Sequence, residues 1–341
     1  MPGRATGLWI ALALFVISSV VLSCLIGSVH VPLGAVVAGL AQRLSGSSQP
    51  ESPLVTIFFA LRLPRVLIGL LCGAALSLSG GVMQGVFRNP LADPYVLGTV
   101  SGATFGAALT ILFHLDGSLW ALPLGAFLGA LLSTAVMLAA SELRMQLYFD
   151  HGALILVGVA LGSLLSALTG IVLFASRADQ VQSLVYWLFG SLSTGQWPQL
   201  GLFALLAIPT MGLLVRQARV LDLLSLGDAM ALHLGIEVTS HKRKLMLLSS
   251  LLTALSVAAC GTIGFVGLVV PHIMRRLVGP GHRSLLLSSL LFGGAFLPLC
   301  DTVARSLFAP VEIPVGIITA LVGVPFFLSL LLRRARLGTL S

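Results

Sequence analysis

The chain has 341 residues, of which 57% are hydrophobic and only 9% charged, with a mean hydropathy of +1.06 and a formal net charge of +8. No water-soluble domain can bury that much apolar surface, so the composition excludes a soluble enzyme or signalling module and defines a multi-pass membrane protein. The positive balance does not mark a nucleic-acid binder, because no basic cluster is interleaved with aromatic residues.

Leu8 to Ile26 is an apolar run long enough to cross a bilayer. Val21-Leu22-Ser23-Cys24 within it is similar to a lipoprotein cleavage box. The run is long for a signal core, however, and its removal would spoil the loop-charge parity described next. Further spans are predicted at 62–83, 93–113, 119–140, 152–174, 198–215, 243–261, 263–277, 285–304 and 314–332. The expectation is an all-α polytopic membrane protein of about ten helices, folded as a single domain over residues 1–341, with both termini on one side.

With the amino terminus cytoplasmic, the inside carries Arg4, Arg88, Arg144, Arg216, Arg219, Lys242, Arg243, Lys244, Arg275, Arg276, Arg283, Arg333, Arg334 and Arg336. The outside carries only Arg43, Arg62, Arg65, Arg177 and Arg305. That asymmetry is the positive-inside pattern, and it orients the chain with both termini cytoplasmic.

Small residues recur every four positions in several spans, as Gly69, Gly73, Ser77 and Gly81 in the second and Gly98, Gly102 and Gly106 in the third. Such faces let helix backbones approach closely where no hydrophobic effect drives association in lipid. In the fifth span the row is Gly158, Gly162, Ser166 and Gly170, and Ser163 and Thr169 add hydroxyls beside it. Gly162, Ser163, Ser166 and Thr169 are therefore candidates to line a pathway. A weak internal echo also runs through the chain. Arg65, Ala75-Leu76-Ser77 and Gly85 correspond to Lys244, Ala254-Leu255-Ser256 and Gly264 at constant offset, in spans of opposite direction, which is the pattern of an inverted repeat.

Two stretches break regular helix. Arg88-Asn89-Pro90-Leu91-Ala92-Asp93-Pro94 cannot be continuous helix and reads as a fixed cytoplasmic turn, with Asn89 or Asp93 capping the third span. Pro271 and the glycines before it make the eighth span short or kinked.

Between the sixth and seventh spans, residues 221–236 form the longest semi-polar interval of the second half. Apolar positions at 223, 226, 230 and 234 recur at helical spacing, interrupted by Asp228 and His233, and Gly235 is a stop signal. The interval lacks the basic face and aromatic anchors of an interfacial helix, so a short helix pair that docks on a partner protein is expected there.

Cys24, Cys72, Cys260 and Cys300 stand singly in apolar runs and read as core thiols. His30, His114, His151, His233, His241, His272 and His282 have no metal-ligand spacing, so no metal site is expected. A membrane enzyme would need paired acids or a His/Glu set inside the bilayer, and Asp301 alone lies well within a long span. An ion-driven secondary transporter would fit the repeat, but it normally shows buried charge near the midplane and needs no docking helix.

Several motifs together resemble the permease subunits of FecCD or BtuC-type ABC importers for iron chelates, haem and vitamin B12. They are Leu61-Arg62-Leu63-Pro64-Arg65, Gly80-Gly81-Val82-Met83-Gln84 followed by residues 88–94, Leu226-Gly227-Asp228 with Leu234-Gly235, Gly264 to His272, Asp301 with Ala304-Arg305, and Pro314-Val315-Gly316. The resemblance covers almost the whole chain. It implies ten spans in a permease that pairs with a second copy, a periplasmic binding protein, and two cytoplasmic ATPases that hold the ATP and Mg. It also implies a bacterial inner-membrane location.

No catalytic residue and no cofactor is expected in this chain, and no G-x-x-x-x-G-K-[ST] phosphate loop occurs in it. Leu226, Gly227, Asp228, Ala231, Leu234 and Gly235 match the segment that couples to the ATPase, within helices at about 220–240. Arg62, Arg65 and Arg305 match arginines that dock the binding protein, and Glu substitution there is expected to weaken docking without lowering permease abundance. The implied cargo is a ferric siderophore or haem, with cobalamin as the alternative.

Overall fold

The computed structural model describes residues 2–27, 31–45, 52–115, 117–142, 151–193 and 195–338. His30 and Arg144 lie outside the described residues, as do the side chains of Arg4, Arg43, His151, Arg333, Arg334 and Arg336. Fifteen α-helices follow in order: α1 (Pro2–Leu25), α2 (Leu33–Leu44), α3 (Pro53–Thr56), α4 (Leu63–Val86), α5 (Thr99–Leu112), α6 (Ala121–Glu142), α7 (His151–Ala175), α8 (Ala178–Leu188), α9 (Trp197–Arg216), α10 (Ala218–Ser225), α11 (Asp228–His233), α12 (Val238–Cys260), α13 (Val266–Val278), α14 (His282–Ser306) and α15 (Val315–Gly338). A π turn at Ile57–Arg62 leads into α4, and a 3-10 turn at Pro94–Leu97 precedes α5. No strand occurs among the described residues.

Each of the ten predicted spans has a helix in its place, and seven helical segments among the described residues are long and apolar enough to cross a membrane. The regions predicted as outer loops are partly helical, as α2, α3 and α8. The third span starts at Thr99 rather than 93, because Asp93, Pro94 and the left-handed Gly98 (φ 72°) hold the chain in a cap and a 3-10 turn first.

The most enclosed long span is α4, which packs against α14, α12, α13 and α9. Its small-residue row is the reason. A methyl on Gly73 would run into the Gly293 carbonyl of α14, and one on Gly80 into the backbone of Gly267 on α13. Ser77 on the same row donates Oγ–H to the Ser289 carbonyl, 2.8 Å away. Residues 65, 69, 73, 77 and 85 of α4 meet 301, 298, 293, 289 and 282 of α14, so the pair runs antiparallel over its whole length. The echo between α4 and α12 is antiparallel too, since Cys72 faces the Ser256 carbonyl and Ser79 the Ser249 carbonyl. Gly102 and Gly106 bring α5 onto Gly129 and Gly125 of α6 in the same manner.

The two interrupted stretches meet. Tyr95 donates its hydroxyl to the Ile263 carbonyl at 2.7 Å and accepts from the Ile263 N–H at 3.2 Å, which satisfies backbone freed between α12 and α13. Pro271 is not a turn residue. It sits inside α13, after the break at 261–265. Its ring leaves the Gly267 carbonyl without the usual partner, and Nε2 of Gln84 on α4 approaches that carbonyl (3.5 Å) while donating to the Leu268 carbonyl (3.1 Å), so the helix continues.

Candidate functional site

The chemistry-bearing side chains gather in two clusters at the two ends of α4, whose 24 residues span about 36 Å at the α-helical rise.

The first cluster is built on Asp301. Arg65 grips it with two bonds, Nε–Oδ2 at 2.9 Å and Nη2–Oδ1 at 2.8 Å, and reaches Glu312 Oε2 at 2.9 Å with its remaining nitrogen. Arg305, one turn along α14, has Nε 3.6 Å from the same carboxylate. Arg305 also donates to the Ser23 carbonyl, and Arg62 donates to the carbonyls of Cys24 and Leu25 at 3.0 and 2.9 Å. These are orphan acceptors at the C-terminus of α1, where positive charge also meets the negative end of the helix dipole. Gly27 permits the approach, because a Cβ there would lie 2.9 Å from Arg62 Nη2 and 3.0 Å from Arg305 Nη1.

Arg62 and Arg305 are 5% and 3% exposed, so the three arginines expected to face a binding protein are committed inside the chain. Charge reversal at Arg62 or Arg305 would therefore remove contacts of the fold, contrary to the expectation that abundance is spared. Asp301 and Glu312 are the residues the motif reading missed as partners. The four-residue spacing of Asp301 and Arg305 was the available signal.

The second cluster is built on Asp228, the first residue of α11. Its Oδ2 is 2.7 Å from Nζ of Lys242 on α12, a side chain with no exposed surface, and its Oδ1 is 3.6 Å from Arg88 beyond α4. Asp222 on α10 takes the backbone N–H of His282 at 2.9 Å and faces its Nδ1 at 2.7 Å. The stretch 221–236 thus folds as two short helices tied by carboxylates to α12, α14 and the connection after α4. The positive φ at Gly227 (107°) and Gly235 (83°) explains glycine at both α11 boundaries. Ala231 faces inward and is fully buried, while Leu226, Met230, Leu232 and Leu234 are all exposed.

Among the turn residues, Asn89 Oδ1 accepts from the Leu91 N–H at 2.9 Å and Asp93 Oδ1 from the Tyr95 N–H at 2.8 Å, with Pro90 between them and Pro94 opening the 3-10 turn. Burial raises the Asp93 carboxyl to about 6, against the pull of the Tyr95 N–H. On α7, Ser163 and Ser166 lie on the open face and Gly162 at its edge, but Thr169 is buried and bonds the Leu165 carbonyl, so the four do not share one surface. Among the described residues no group of three His, Cys, Asp or Glu converges as metal ligands.

A multi-pass helical bundle with a short, tethered and apolar-faced helix pair at one end has the architecture of an ABC transporter permease, the membrane subunit of the complex. The FecCD transport family matches residues 13–333, and the chain belongs to it. It is 42% identical over 285 residues to the hemin transport system permease protein HmuU of Yersinia pestis, covering 82% of this chain and 84% of that one. It is 41% identical over 282 residues to the cobalamin import system permease protein BtuC of Halobacterium salinarum, covering 83% and 74%. Among solved structures, a metal-chelate type ABC transporter in an inward-facing conformation matches with a TM-score of 0.84 and 35% identity, covering 96% of this chain and 99% of that one.

Proposed function

We propose that this ABC importer permease carries an iron chelate, a ferric siderophore or haem, across the bacterial inner membrane as one of two identical copies. Two separate cytoplasmic ATPases drive it, and a periplasmic binding protein delivers the cargo. The observation that carries the reading is α11 and its two ends, where Leu226, Met230, Leu232 and Leu234 are exposed on a segment held to the bundle by Asp228, Lys242 and Arg88. Exposed apolar patches of this kind mark protein contacts. A movement imposed on α10 and α11 by nucleotide-driven ATPase closure passes through Asp222 to α14 and through Asp228 to α12, rocking the halves that enclose the pathway.

On this reading both termini are cytoplasmic, and the Asp301 end faces the periplasm. The binding protein meets it at Arg65 and Glu312, the latter 36% exposed, with Arg62 and Arg305 holding the surface from behind. The open face of α7, with Gly162, Ser163 and Ser166, lines the pathway or the partner copy. ATP and Mg are held by the ATPases alone.

The cargo follows the relatives. Likeness to a hemin permease supports haem, and similar likeness to a cobalamin permease keeps vitamin B12 as a second reading. Reconstitution with the ATPase and binding protein tests both. ATP-dependent uptake of haem or a ferric siderophore is expected, abolished by inactivating the ATPase. Uptake of cobalamin alone would replace the iron-chelate reading, and uptake against a gradient without any ATPase would overturn the function.

A further inference from the structure

Where α4, α10 and α13 end and α14 begins, a cavity of about 330 Å3 opens behind the Arg88–Asp228 and His282–Asp222 contacts. Gln84, Gly85, Arg88, Ser225, Arg275 and His282 line it. Its polar groups are left incomplete. The Nε of Arg275 is buried without a hydrogen-bond partner, and no carboxylate among the described residues pairs with this guanidinium. His282, 3% exposed, gives Nδ1 to Asp222 and keeps Nε2 buried and unpartnered beside Gly85. Gln84, 2% exposed, commits Nε2 to the Leu268 carbonyl, which leaves Oε1 as a buried acceptor with no donor.

Burying the Nε of a half-buried guanidinium and a carbonyl acceptor without partners is costly, and one ligand can satisfy both. It must present oxyanion lone pairs to Arg275 and Arg88 and a hydroxyl to Gln84 Oε1. Hydrogen phosphate and a singly protonated phosphate monoester carry that combination, whereas chloride lacks the geometry and sulfate at neutral pH lacks the hydroxyl. We propose that this cavity is a binding site for a phosphate group that retains one hydroxyl, supplied either as inorganic phosphate from the aqueous phase or by a phosphatidic acid headgroup.

The test uses the full chain in phosphatidylcholine nanodiscs at constant ionic strength, without nucleotide, and measures binding of radiolabelled inorganic phosphate. Saturable binding is expected, with sulfate competing poorly. Arg275→Gln should weaken it roughly tenfold or more, as for loss of a charge-assisted contact, Arg275→Lys less, and Arg177→Gln, ahead of α8 and outside the cavity lining, not at all. Nanodiscs containing phosphatidic acid distinguish the sources: exclusion of the labelled phosphate assigns the site to the headgroup, and undiminished binding assigns it to the free anion. No saturable binding in the neutral nanodiscs, or equal binding by Arg275→Gln, overturns the proposal. So does a complex in which Arg275 crosslinks to an acidic side chain of the ATPase and phosphate no longer binds.

Discussion

At the start of α4, Arg62, Arg65 and Arg305 turn inward around Asp301 and the end of α1, and little of any of them reaches solvent. At the other end, Arg88 and Asp228 keep 40% and 33% of their side chains exposed around a single buried amine, that of Lys242. Both ends use arginines, a carboxylate and helix termini, yet the first leaves only Glu312 part-exposed, while around Asp228 only Lys242 is enclosed. A charge network with a buried centre, here Arg65, Asp301 and Arg305, fixes the helices that contribute to it, because separation leaves an uncompensated buried charge. A network with one enclosed and two half-exposed members ties α11 to the bundle while leaving its outer face free to be held by something else.

The strongest way to break this comparison is Asp301→Ala, which takes the buried carboxylate from Arg65 and Arg305 and leaves Arg65 only the part-exposed Glu312. A loss of about 3–5 kcal/mol is expected, read as lost yield and a lowered Tm in detergent. An unchanged Tm would deny the fixed joint. Asp228→Ala removes the carboxylate that faces Lys242 and Arg88 and should cost less, on the order of 2–3 kcal/mol, because Asp228 is itself part-exposed. Pairing it with Lys242→Met should restore Tm but not uptake, which separates the tether from the fold.

Between the ends, Gly73→Ala pushes a methyl against the Gly293 carbonyl. About 1–3 kcal/mol is expected from overpacking, again by Tm. The smallest effect on stability sharpens the contrast most. Leu232→Asp, on a residue 64% exposed, should leave Tm within about 0.5 kcal/mol of the parent while co-purification with the ATPase falls. Retained co-purification would detach α11 from the partner contact.

Much of the fold was legible in the sequence, because membrane spans are written as long apolar runs and close helix contacts as glycine and serine every fourth residue. The rows at 69–81 and 98–106 do pack as read. The row on α7 has the same spacing, but a Cβ on Gly170 would meet nothing. Spacing reports which residues share a helix face and not what that face meets. Residues 221–236 were likewise legible as a short helix pair, since the amphipathic period and Gly235 are local signals.

By itself, the sequence determined the membrane class, the order of the apolar helices, and membership of the FecCD family. Only the tertiary structure decided that the arginines of the Leu61–Arg65 motif point into the molecule, that Gln84 supports the backbone around Pro271, and that Tyr95 completes the break before α13. Arg65 and Asp301 lie 236 positions apart, and Gln84 and Leu268 lie 184 apart. No periodicity along a chain encodes such partners. They are selected when antiparallel packing brings helix ends together and each buried charge or freed carbonyl must find its complement.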